Sequence, residues 1–68
     1  MILTHQFQSN VLSDGSYDTE SKELNLTFNN GKTYTYEDVE PYLWGELVDA
    51  ESAGKKFAEI KKLLKLKV

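Results

Sequence analysis

The stretch Leu24 to Tyr36, reading LNLTFNNGKTYTY, constrains the fold more than any other part of the chain. Leu24, Leu26 and Phe28 alternate with polar residues, and Tyr34 and Tyr36 repeat the pattern beyond Asn29-Asn30-Gly31. A period of two on both sides of a glycine-containing turn reads as a β-hairpin with one buried face. Register decides which side chains share that face. A two-residue turn at Asn30-Gly31 would oppose Phe28 to Thr33 and Leu26 to Thr35, sending leucines and tyrosines to opposite sides. A three-residue loop, with Gly31 at positive φ in a bulge, instead opposes Leu26 to Tyr34 and Leu24 to Tyr36. A 68-residue chain must gather its large apolar groups on one side of a single sheet, so the three-residue loop is expected.

The rest of the chain is laid against this hairpin. Val11 to Tyr17 (VLSDGSY) reads as a preceding strand, with Gly15 marking a bulge or a close backbone approach. Asp18 to Glu23 is a polar turn, and Tyr17 falls opposite Leu24. For residues 1–10, with Ile2, Leu3 and Phe7 apolar, two readings stay open: a frayed lead-in or an extra edge strand. After the hairpin, Asp38 or Glu40 marks a helix boundary and Pro41 suits the first helical turn, where its missing amide costs nothing. Leu43, Leu47 and Ala50, flanked by Trp44 and Val48, form the apolar face of that helix, while Gly45 weakens it by about 1 kcal/mol of propensity. Ser52 is the expected N-cap of a second helix whose stripe is Ala53, Phe57, Ile60 and Leu64. The tail Leu64 to Val68 alternates strictly and either continues the helix or leaves it as a strand. The expected architecture is a single α+β domain over residues 1–68. It comprises a three-stranded antiparallel meander (about 11–17, 23–28 and 32–37) against two helices (about 40–50 and 52–64).

Composition narrows the function classes. There is no cysteine, so neither a disulfide framework nor a thiolate metal site supports the core. A secretory signal and a membrane span are not expected, because Met1-Ile2-Leu3 gives way at once to Thr4, His5 and Gln6. A cytoplasmic protein is the default. The net charge of −3 hides an asymmetry: residues 1–54 hold ten acidic and two basic side chains, a balance of −8. Residues 55–68 hold six lysines and Glu59, a balance of +5.

The residues then fall into a known order. Ser9, Tyr17-Asp18, Leu24-x-Leu-x-Phe28, Asn30-Gly31, Tyr34-x-Tyr36, Val39, Trp44, Leu47, Ala50, Ser52-x-Gly54 and Phe57 resemble the KTSC domain. This small module is named after the C-terminal extension of some lysyl-tRNA synthetases, and it also occurs as short stand-alone proteins of bacteria and phages. The resemblance covers about residues 9–60. Ser16 replaces the family's usual Gly before Tyr17, Glu40 stands where Pro often follows Val39, and Lys56-Phe57-Ala58 replaces an aromatic-aromatic-Asn run. The synthetase context implies an accessory RNA-binding or protein-docking role rather than catalysis.

No catalytic or metal-ligating set stands out, and no cofactor is expected. The sole histidine, His5, lies in the least patterned stretch and reads as a solvated terminal residue. Asp14 with Asp18, and Glu37-Asp38-Glu40, lack the spacing of a calcium loop. Tyr42 and Trp44 are candidate protein-docking residues, because Tyr and Trp dominate binding hot spots. Ser52, Gly54, Lys55 and Lys56 form a candidate anion site at a helix N-terminus, extended toward nucleic acid by Lys61, Lys62 and Lys65. The strand aromatics are expected in the core rather than on a base-stacking platform, and the chain has no arginine beside them. Three functions follow: a non-catalytic module docking on a larger protein, RNA or single-stranded DNA binding through the lysines, and a phage-type inhibitor whose acidic part mimics nucleic acid. The chain is expected as a monomer or a weak homodimer through an edge strand.

Overall fold

A computed structural model describes residues 1–67. The chain runs β1 (Ile2–Gln6), β2 (Leu12–Asp18), β3 (Glu23–Phe28), β4 (Thr33–Glu37), α1 (Pro41–Asp49), α2 (Ala53–Ile60), a 3-10 turn (Lys61–Leu63) and β5 (Lys65–Leu66). The sheet has five strands in the order β1-β2-β3-β4-β5, every neighbouring pair antiparallel. The expected meander of three strands is therefore its centre, extended by one strand on each side. Residues 1–10 supply the first addition, and the tail leaves the helix to supply the second. Val68, the last residue of that tail, lies outside the described residues.

The hairpin has the expected register, with Leu24 opposite Tyr36 and Leu26 opposite Tyr34. Its loop is Asn29-Asn30-Gly31: Phe28 N–H donates to the Lys32 carbonyl and Gly31 N–H to the Phe28 carbonyl. Gly31 sits at φ +87°, in the region where a side chain would be strained. Across the sheet a single row runs Leu3, Tyr17, Leu24, Tyr36, Leu66, one residue from each strand, on the face that the helices cover. The sheet's other face carries the intervening row Thr4, Ser16, Asn25 and Thr35, polar throughout.

Gly15 has the role its place in a strand implies. The β2–β3 register shifts between Leu12 and Asp14, and a Cβ on Gly15 would come within 2.9 Å of Leu26 Cδ2 and 3.1 Å of Phe7 Cε2. The missing side chain lets Leu26 and Phe7 meet over the strand.

Both helices close on this floor. Leu12, Tyr17, Leu24, Leu26, Val39 and Leu47 are fully buried, joined by Leu43, Trp44, Ala53 and Ile60. Glu40 is the extended N-cap of α1 and Pro41 its first residue. Ser52 caps α2, its hydroxyl accepting from Lys55 N–H at 3.3 Å. The second helix is shorter than the expected 52–64, because its last turn tightens to 3-10 geometry at Lys61 before the chain re-enters the sheet. A buried link fixes the passage from sheet to helix. The Tyr17 hydroxyl donates to the Val39 carbonyl at 2.5 Å, and Val39 N–H donates to the Lys22 carbonyl at 2.9 Å.

Candidate functional site

Aromatic side chains pack in two groups beneath the helices. Under α1, Tyr17 stacks on Trp44 with centroids 6.0 Å apart, and Phe7 meets the same indole edge-on at 6.3 Å. Under α2, Phe57 meets Phe28 at 5.3 Å and Tyr36 at 6.2 Å. Trp44 is 7% exposed, so it belongs to the core and offers no docking contact. The expectation that placed it beside Tyr42 on the surface is corrected: α1 turns that side of its face onto Tyr17 of β2 and onto Phe7, just past the end of β1. Tyr34 departs the other way. It sits at the end of its row, touches Phe28 edge-on at 5.5 Å and stays 39% exposed.

Tyr42 stands out on α1 at 59% exposure. It borders a shallow groove lined by Gly45, Glu46, Asp49, Ala50 and Lys56, on the outward side where α1 and α2 meet. Tyr42 and Gly45 are three residues apart and so share a helix face. A Cβ on Gly45 would meet no atom within 4 Å. Among the described residues nothing requires a glycine there, although it costs the helix about 1 kcal/mol relative to Ala. The result is a strip of bare helix backbone beside an exposed tyrosine.

The lysines are distributed over α2, the turn after it and β5, and some are ion-paired. Lys56 is bound by Glu59 at 3.2 Å and Glu46 at 3.7 Å, and the Glu59 hydrogen bond and charge, then Glu46, raise its pKa. Lys65 lies opposite Glu37 in the β4–β5 register, and the neighbouring Lys67 pairs with Glu23. Lys55 sits at the start of α2, whereas Lys61 and Lys62 occupy the turn beyond its end. Among the described residues, Lys55, Lys61, Lys62 and Lys65 have no carboxylate within 4 Å.

At the α2 N-terminus the space beside Gly54 is taken by the chain itself. A Cβ there would lie 3.0 Å from Val11 Cγ2 and 3.3 Å from Ser9 Oγ. Ser9 Oγ in turn accepts from Val11 N–H at 3.0 Å, which closes the turn that packs beside Gly54. The room that Gly54 was expected to leave for an anion is thus used for packing. A shallow groove of mixed lining remains alongside, bounded by Ser9, Val11, Ser52 and Lys55.

His5 is not a solvated terminal residue. It belongs to β1, is half-buried and packs edge-on against Phe7 at 4.8 Å. Among the described residues no three His, Cys, Asp or Glu side chains converge as a metal site. No helix among them is long and apolar enough to cross a membrane. The acidic residues of the first part are partly engaged. Asp18 Oδ1 accepts from Glu20 N–H at 2.9 Å, a bond that lowers the carboxyl's pKa, and Lys22 approaches Glu40 at 3.9 Å.

Sequence reasoning missed Gly45 as a surface feature. The signal was present, a helix-weakening residue three positions after a tyrosine, but only the empty space around it gives it meaning.

Comparison with known proteins agrees with this architecture. The KTSC domain model matches residues 8–62. A relative from Stutzerimonas stutzeri (strain A1501), described as an uncharacterized protein, is 36% identical over 53 residues, 78% of this chain and 75% of the relative. The crystal structure of a KTSC domain protein from Yersinia pestis superposes with a TM-score of 0.88 at 22% identity, over 98% of this chain and 96% of that one. At that identity the likeness speaks for the fold alone. With the family match spanning most of its length, the chain belongs to the KTSC domain family.

Proposed function

We propose that this chain is a non-catalytic docking module that binds a larger protein through the outward face of α1, centred on Tyr42 and Gly45. The observation that carries the reading is the pairing of a 59% exposed tyrosine with a glycine whose Cβ position is empty. A tyrosine offers a large rigid contact area with a polar tip, and the adjoining bare backbone lets a partner approach closely. Glu46 at the groove is paired with Lys56, but Asp49 has no cationic side chain within 4 Å among the described residues and favours a partner bearing a cationic or amide group at that place.

The lysine reading has less support, because Lys56 and Lys67 are already ion-paired and the rest are spread along α2, its last turn and β5. A mobility-shift titration at low salt tests it, since phosphate contacts weaken steeply as salt rises. The acidic-decoy reading is tested by neutralising Asp14, Asp18, Glu20 and Glu23 together and measuring whether partner binding survives.

The docking reading is tested by affinity capture from a bacterial lysate with wild type, Tyr42→Ala and Tyr34→Ala. Partners recovered by wild type and Tyr34→Ala should be depleted several-fold with Tyr42→Ala. Equal recovery by all three would sink the reading.

A further inference from the structure

The two edges of the sheet are built differently. At one edge β5 has two residues, Lys65 and Leu66, and is followed by Lys67, short and charged in the manner that discourages strand pairing. At the other edge β1 has five residues, ILTHQ, with no Lys, Glu, Asp or Pro among them. Its backbone polarity follows from its bonds to β2. Phe7 N–H donates to the Ser13 carbonyl at 2.9 Å, and Thr19 N–H donates to the Met1 carbonyl at 3.0 Å. In an antiparallel ladder such pairs alternate, so Leu3 and His5 also turn their amides toward β2. Ile2, Thr4 and Gln6 then direct their N–H and C=O groups away from the sheet. Ile2 is 60% exposed on the same edge.

We infer that β1 is a self-pairing edge: two copies of this chain join β1 to β1 antiparallel about a two-fold axis at Thr4, making one continuous sheet. The register follows from the outward groups. With Thr4 opposite Thr4 of the second copy, Ile2 falls opposite Gln6 and Gln6 opposite Ile2, which uses all three outward residues on each strand. That makes about six backbone hydrogen bonds, whereas a shift by two residues forfeits at least one pair. The pairing brings no like charges together on β1. The nearest acidic residues, Asp18 and Asp14, lie beside Ile2 and Gln6 on β2 and would stand three strands apart across the joint. At about 4.8 Å per strand that is roughly 14 Å, beyond the screening length at physiological salt. On the outer face the row Thr4, Ser16, Asn25, Thr35 would continue unbroken into its copy. An edge of this length buries less than a stable dimer needs, so the pair exchanges rapidly and registers only at high concentration. This surface lies away from the α1 face and does not depend on the docking reading.

Sedimentation of wild type and Thr4→Pro up to about 1 mM tests the inference, on the scale at which weak interfaces register. Proline is tolerated where an edge N–H faces solvent, so Thr4→Pro should melt within a few degrees of wild type yet stay monomeric while wild type associates. If Thr4→Pro does not fold, Thr4→Lys replaces it, adding a charge at the axis. The absence of cysteine allows a second reading: Thr4→Cys should oxidise to a cross-linked dimer at least about tenfold faster than Lys65→Cys on the opposite edge. A wild type monomeric throughout the range, association unchanged in the Thr4 variant, or equal cross-linking at both edges would overturn the proposal.

Discussion

Gly15 and Gly45 each sit inside a regular element where glycine is unfavourable, and their surroundings are opposites. Around Gly15 the space is filled: Leu26, Phe7 and the Asn25 carbonyl would all meet a Cβ within 3.1 Å or less. A Cβ on Gly45 would meet no packing neighbour within 4 Å among the described residues. The first glycine is required by the core it helps to close. The second is required by nothing among the described residues, and it lies beside Tyr42 on the face proposed for docking. The contrast separates residues that build the fold from residues that are available to something else.

Substitutions at the two places should therefore act in opposite directions. Gly15→Ala forces a methyl against Leu26 and a backbone oxygen, and overpacking of this kind costs about 1–3 kcal/mol. Urea unfolding should show the loss, and a midpoint at or above that of wild type would mean the strand has more room than the structure indicates.

Tyr17→Phe is the next largest change. It removes the hydroxyl that bonds to the Val39 carbonyl and should cost about 1 kcal/mol at neutral pH. It should also change the alkaline limb. Burial, and then the nearby Glu40 and Asp18 charges, hold the Tyr17 hydroxyl above the usual tyrosine range. The folded state keeps that proton longer than the unfolded chain does. The associated stability is thus intact below about pH 10 and is lost as pH rises above it. Tyr36, raised by burial and then by Tyr34, contributes in the same direction. Unfolding free energy measured from neutral to alkaline pH should fall less steeply in Tyr17→Phe than in wild type. Identical slopes would mean that Tyr17 does not titrate differently in the folded state.

Much of the sheet's inner face was legible beforehand, and the reasons are physical. A period of two with glycine at the loop's last position admits one register that keeps Leu24, Leu26, Phe28, Tyr34 and Tyr36 on one side, and the structure has that register. The placement of Tyr17 against Leu24 followed from the same pattern. The outer strands were harder to see. In β1 the inward residues are Leu3 and the polar His5, and Ile2 beside them points outward, so the hydrophobic pattern of the stretch shows no clean alternation. With only two residues, β5 is too short to declare itself before a partner strand is known.

Trp44 was misplaced for a related reason. Its burial depends on Phe7 and Tyr17 lying beneath α1, and Phe7 belongs to a segment whose course the sequence left open. Gly54 was read as space for a ligand because the turn that fills it, Ser9 to Val11, is more than forty residues away in sequence.

The smallest energetic change carries the most information. Gly45→Ala should stabilise the fold by about 0.5–1 kcal/mol, because the methyl meets no obstacle and the helix gains propensity. Thermal melting and affinity capture of the same Gly45→Ala preparation test the separation of fold from function directly. The account predicts a higher melting temperature together with a several-fold loss of the partners that wild type recovers. A higher melting temperature with undiminished recovery would contradict it.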